Sequence, residues 1–114
     1  MEETRGLKIV VETESLPKHC VRVYLKGQLT WTSIKQFQME INRLFASGYH
    51  TYEIDLSELT YLDSSGLAAF IPIHEKSREV SGSMKITNPR RLIRQIFVSA
   101  HLDCVLDIGP DKGV

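Results

Sequence analysis

The chain has 114 residues, which is room for one domain and one hydrophobic core. Apolar residues make up 42% and charged residues 25%, the balance of a globular protein rather than a disordered one. Fourteen Lys and Arg oppose 14 Asp and Glu, and this neutrality argues against general nucleic-acid or anionic-membrane binding, both of which need a basic excess. The longest apolar run, 67–73, contains Pro72 and falls far short of the roughly 20 residues needed to cross a bilayer. The acidic stretch 1–5 is not followed by an apolar core, so no signal peptide and no membrane insertion are expected, and a cytoplasmic location is.

Hydrophobic periodicity switches between two residues and 3.6 residues along the chain. A first strand spans 7–12, with Leu7, Ile9 and Val11 on one face. A second spans 20–27, where Val21, Val23 and Leu25 oppose Arg22, Tyr24 and Lys26. The spacer 13–19 suits an antiparallel hairpin. Ser33 and Gln36 have capping-box spacing ahead of a helix carrying Ile34, Phe37, Ile41, Leu44 and Phe45, and Gly48 is its natural stop. A third strand spans 51–56, with Tyr52, Ile54 and Leu56 inward. A loop then leads to a second helix over 64–80 that ends near Gly82 and should kink at Pro72, re-aiming Leu67, Phe70 and Ile71. A fourth strand spans 84–87. Asn88 as N-cap and Pro89 as first residue begin a third helix with the stripe Leu92, Ile93, Ile96, Phe97 and Ala100. A fifth strand covers 104–108.

The order is β-β-α-β-α-β-α-β, and its later strands should pair in parallel through right-handed crossovers. Strands covered on both faces read as unbroken apolar runs, whereas these alternate. One face of the sheet should therefore carry the helices. The other is either a docking surface or a hydrated polar face. Cys20 and Cys104 form no metal-ligand spacing and read as two reduced thiols in or near the sheet.

Asp63-Ser64-Ser65-Gly66 puts a carboxylate and two hydroxyls at a helix start, where backbone N–H groups lack partners. Asp63 or Ser64 can cap those groups, and Gly66 permits close packing. A Ser hydroxyl there can also accept a phosphate, held by the same N–H groups and adding about −1.5 to −2 charge beside Asp63. The surface would change sign with little refolding.

The run Ile54-Asp55-Leu56-Ser57, then Thr60-Tyr61-Leu62-Asp63-Ser64-Ser65-Gly66-Leu67, resembles the STAS domain of bacterial anti-sigma factor antagonists. The likeness extends to Gly27-Gln28-Leu29, to Met84-Lys85-Ile86-Thr87-Asn88-Pro89 and to Ala100-His101-Leu102-Asp103, and covers about 7–108. It implies an α/β fold, a STAS-like single domain with a five-stranded mixed sheet and three main helices largely on one face. It also implies a partner, an anti-sigma factor that is often a serine kinase. That kinase phosphorylates the Ser after the Asp, here Ser64, and so ends the complex, and a phosphatase restores it. Asp63, Ser65 and Gly66 would shape the acceptor site. The partner surface would add Leu67, Phe70 and the loop Leu29, Thr30 and Trp31. The chain departs from the family at Thr30, where many members carry an acidic residue, and at Pro72. STAS-like proteins also serve as unswitched subunits of stress-signalling scaffolds and of lipid-transport ABC complexes, and that alternative stays open, as does a homodimer through the sheet edge.

Trp31 reads as an interface anchor or as a cover for the helix end. Arg90, Arg91 and Arg94 make a basic face, either solvated or turned to an acidic partner. His19, His50, His74 and His101 are scattered, so no metal is expected. The chain has no His base beside Ser64, no GxSxG elbow and no phosphate-cradling loop, and neither enzymatic activity nor a cofactor is expected.

Overall fold

The computed structural model describes residues 6–113, and the stretch 1–5 lies outside them. Strand β1 (Leu7–Glu12) pairs antiparallel with β2 (Cys20–Leu29). Parallel pairs then join β2 to β3 (Thr51–Leu62), β3 to β4 (Ser83–Thr87) and β4 to β5 (Asp107–Ile108). The strand order is β1-β2-β3-β4-β5. The hairpin and the parallel crossovers match the expected topology.

Helix α1 (Ile34–Ala46) buries Phe37, Ile41 and Leu44. Gly48 ends it at φ +95, with its N–H on the Phe45 carbonyl (3.0 Å) and the Tyr49 N–H on that of Leu44 (3.1 Å). This is a Schellman stop, which the glycine makes possible. The start differs from the expected capping box. Ser33 donates its hydroxyl to the Gln28 carbonyl (3.0 Å), and Gln36 reaches across to the Leu7 carbonyl (2.9 Å). Both side chains therefore tie α1 to the sheet instead of closing its first turn.

The expected second helix is two helices. A short α2 (Ser64–Ala68) and α3 (Phe70–Glu79) meet at Ala69. Pro72 is thereby the third residue of a new helix, where its missing N–H forfeits no intrahelical bond. Ala69 keeps helical backbone angles (φ −65, ψ −20), so the two helices meet as the kink expected near Pro72. The last helix, α4 (Arg91–Ser99), begins later than expected. Asn88 is not its cap: it lies in the left-handed region at φ +53, and its amide donates to Asp55 Oδ2 (3.0 Å). Ile93 and Phe97 face the core, while Leu92 and Ala100 face solvent, so the real stripe is narrower than the one expected.

The fifth strand is also shorter than expected. Residues Leu102–Cys104 form a 3-10 turn entered through His101 at φ +61, and only Asp107–Ile108 pairs with β4. Cys104 is consequently exposed and outside the sheet, whereas Cys20 opens β2 half-buried.

Strand β3 runs past the expected end at Leu56 because it bulges twice. Tyr24 pairs with Asp55 but Lys26 with Glu58, and Gly27 pairs with Leu59 but Gln28 with Tyr61. Each bulge adds one residue and shifts the inward phase, so Ile54, Leu56, Leu59 and Leu62 are all buried. Asp55 holds the first bulge. Its Oδ1 accepts the Ser57 N–H (2.8 Å), and its Oδ2 accepts Asn88. Burial pushes the Asp55 carboxyl up, but hydrogen bonds from Ser57 and Asn88 outweigh it and hold the group below the ordinary carboxylate range. A lowered native value means that Asp55 stabilises the fold above the unfolded-state value and that this is lost as pH falls through the native one. Asp55→Asn should therefore be less stable than wild type at neutral pH. In urea titrations the gap should narrow below about pH 4.

The core draws inward residues from β2, β3 and β4 together with those of α1, α3 and α4. The opposite sheet face is polar. Arg22 bridges Glu12 (3.1 Å) and Glu53 (3.0 Å), and the Tyr24 hydroxyl donates to Glu12 (3.0 Å). Among the described residues no helix is long and apolar enough to cross a membrane.

Candidate functional site

The site lies where β3 ends and α2 begins. Asp63 is the N-cap of α2 in extended conformation, and its Oδ1 accepts the Gly66 N–H (2.9 Å). Its Oδ2 accepts the Trp31 N–H from the loop between β2 and α1 (3.0 Å). One carboxylate therefore fastens two segments that are far apart in sequence. The backbone N–H of Gly66, then that of Trp31, hold the Asp63 carboxyl below the ordinary range, and it is ionised at neutral pH.

Gly66 is buried under β2. A Cβ there would stand 2.2 Å from the Leu29 carbonyl oxygen, so only glycine allows this approach. The Asp63 N–H also donates to that carbonyl (3.3 Å). Close backbone packing thus presents the first turn of α2 at the surface with Ser64 and Ser65 exposed. Asp63 does the capping, and Ser64 is not needed for it.

The loop opposite is a tight turn. Ser33 N–H donates to the Thr30 carbonyl (2.9 Å), and Thr30 N–H donates to Ser33 Oγ (3.0 Å). The Thr30 hydroxyl pairs with that of Thr32 (2.8 Å). The Thr30 hydroxyl is thus spent inside the turn. Trp31 projects from the turn with 73% of its surface exposed, so it does not cover the helix end.

Two of the expected contact residues are elsewhere. Leu29 and Phe70 are both 0% exposed and belong to the core. Phe70 lies between Phe37 and Phe97, at ring-centroid distances of 5.6 and 5.5 Å. Phe70 opens α3 on its inward face. Leu67 is half-buried against the core. Tyr61, 51% exposed, lies in a segment that reads as loop but is the penultimate residue of β3, two residues before Asp63. The three arginines of the basic face each have a partner within the domain. Arg90 donates to the Ser57 carbonyl (3.2 Å), Arg94 donates to that of Gly109 (3.1 Å), and Arg91 lies 4.0 Å from Asp111. Among the described residues no group of three or more His, Cys, Asp or Glu side chains could hold a metal ion.

The family model described as "Mlab, STAS domain" matches residues 12–107. The chain belongs to the STAS domain family. No curated protein sequence matches it. Among solved structures it is similar to an anti-sigma factor antagonist from Mycobacterium paratuberculosis, with a TM-score of 0.81 and 20% identity over 96% of this chain and 91% of that one. It is also similar to the anti-sigma factor antagonist SpoIIAA in its unphosphorylated form, with a TM-score of 0.76 and 20% identity over 92% of this chain and 90% of that one. SpoIIAA, a Bacillus cell fate determinant, is known in the phosphorylated form as well. A third likeness is to murine Slc26a9, an anion transporter, at a TM-score of 0.67 and 16% identity, covering 82% of this chain but 16% of that one. At these identities the likenesses establish the STAS fold.

Proposed function

We propose that this STAS protein is an anti-sigma factor antagonist, that it binds an anti-sigma factor acting as a serine kinase, and that phosphorylation of Ser64 ends the complex. The observation that carries this reading is the division of labour at the start of α2. Asp63 makes the capping bond, which leaves an exposed Ser64 hydroxyl beside it. A phosphate there adds about −1.5 to −2 charge next to an ionised Asp63. A complementary surface on the partner would then meet repulsion and a bulky dianion in place of a small hydroxyl. The helix has no reason to unfold, because its cap is intact. Ser64, Ser65, Thr30 and Trp31 form the contact surface, with Trp31 as its aromatic anchor. The partner switching is reversible through a phosphatase, and the domain itself performs no catalysis. The existence of SpoIIAA in both forms supports the reading by likeness.

Partner pull-down with phosphosite mass spectrometry tests it. Incubation with ATP and the captured kinase should modify Ser64 in wild type and leave Ser64→Ala unmodified. Ser64→Asp should bind the kinase several-fold more weakly or worse. Ser64→Ala should melt near the wild-type temperature, since Asp63 is the cap. Undiminished affinity in Ser64→Asp defeats the switch.

The likeness to a small part of Slc26a9 favours a second reading, in which the domain is an unswitched subunit of a larger assembly such as a signalling scaffold or a lipid-transport ABC complex. Capture of such an assembly, with equal affinity for wild type and Ser64→Asp, would select it.

A further inference from the structure

The polar sheet face carries a second feature that the Ser64 surface does not use. At the carboxyl ends of β2 and β3 lies an open groove of about 610 Å3, lined by Lys8, Lys26, Gln28, Glu58, Thr60 and Arg90. Three cations face one carboxylate, in a chain whose 14 basic residues equal its 14 acidic ones. The excess is therefore local.

The arrangement works against stability. Lys8 stands directly opposite Lys26 across the antiparallel ladder, and like charges so placed repel. Glu58 lies 3.6 Å from Lys26 and offsets part of this. The first bulge of β3 exposes the Ser57 carbonyl, which accepts Arg90 Nε (3.2 Å) and Lys112 Nζ (3.1 Å). A fourth cation is thus held at the same bulge. The guanidinium of Arg90 is oriented through its Nε, and its terminal nitrogens carry further donors.

We propose that this groove docks an acidic segment of a protein partner, with spaced carboxylates meeting Lys8, Lys26 and Arg90. An extended segment sets every second side chain on one face, roughly 7 Å apart, and so can straddle Glu58. Glu58 disfavours a compact phosphate or a dense anionic surface, which would press charge against it. Gln28 supplies an amide for the segment's backbone. The lining of the groove includes neither Ser64 nor any other residue of α2.

The test uses the full chain and a fluorescent hexaglutamate peptide, followed by anisotropy, with a hexaglutamine peptide as control. Hexaglutamate should bind, hexaglutamine should not, and the affinity should fall between about 50 and about 300 mM salt. Lys8→Gln combined with Lys26→Gln should weaken binding about tenfold, with a thermal melt showing that the variant is folded. Glu58→Gln should tighten it. Ser64→Asp should bind hexaglutamate like wild type, so failure here leaves the Ser64 reading intact. Absence of hexaglutamate binding, or equal binding by the double variant, overturns the proposal. So does displacement of the peptide by millimolar inorganic phosphate, or preferential binding to phosphatidylglycerol vesicles, since either would assign the groove to a different anion.

Discussion

Phe70→Ala should lower the unfolding free energy by about 3–5 kcal/mol, read from urea denaturation monitored by circular dichroism. Phe70 is fully enclosed between Phe37 of α1 and Phe97 of α4, in tilted and edge-to-face arrangements. Its removal leaves a cavity that three packed elements cannot readily close, and it also forfeits the aromatic pair terms. The same measurement decides between two roles. A partner-contact residue would lose affinity and keep its stability. Phe70 should do the reverse, with partner binding retained in the fraction that remains folded. An unchanged denaturation midpoint would place the ring at the surface and contradict the core described above.

Gly66→Ala should cost about 2–3 kcal/mol and also disorganise the site. The added methyl would meet the Leu29 carbonyl oxygen at 2.2 Å and its carbon at 3.0 Å, both backbone atoms at the inner end of β2. These cannot swing away as a flexible side chain would. Instead α2 must lift from the sheet, which strains the Asp63 N–H bond to Leu29 and pulls the Asp63 carboxylate away from Trp31. Thermal melts should show the loss of stability. Amide spectra should show the Trp31 resonance moving together with those of α2, since its N–H is held by the Asp63 carboxylate that caps α2. An alanine variant with wild-type melting and an unshifted Trp31 amide would mean that the approach of α2 to β2 is not tight.

The parts of the fold that rest on local periodicity were legible in the sequence. The hairpin, the parallel crossovers and α1 with its glycine stop all follow from alternation or from one apolar stripe. The errors have a common source in contacts between distant segments. Leu56, Leu59 and Leu62 are spaced by three, a pattern that looks like the end of a strand unless the bulges opposite Lys26 and Gln28 are known. Ser33 and Gln36 have capping spacing, yet their side chains are claimed by the carbonyls of Gln28 and Leu7. Asn88 has the character of a cap but is taken by Asp55, 33 residues away. Cys104 and Leu106 alternate like strand residues, but the left-handed His101 starts a 3-10 turn that consumes the first half of the segment. At the site, the motif 63–66 was readable, since Asp, Ser and Gly there have local reasons to begin a helix. The bond from Trp31 to Asp63 spans 32 residues and left no local trace. Tyr61 sits in an apparent loop, and Phe70, expected at the partner surface, lies on the inward face of α3 against rings from α1 and α4 that are distant in sequence.

The division of labour at the α2 start has a consequence for how a signal through this domain would be paced. Because the anchoring carboxylate and the hydroxyl proposed for modification belong to neighbouring residues, chemistry at the second would leave the folding equilibrium undisturbed. Repeated rounds of addition and removal would then neither expose the chain to proteolysis nor wait on refolding. The response time would be set by the enzymes that write and erase the mark.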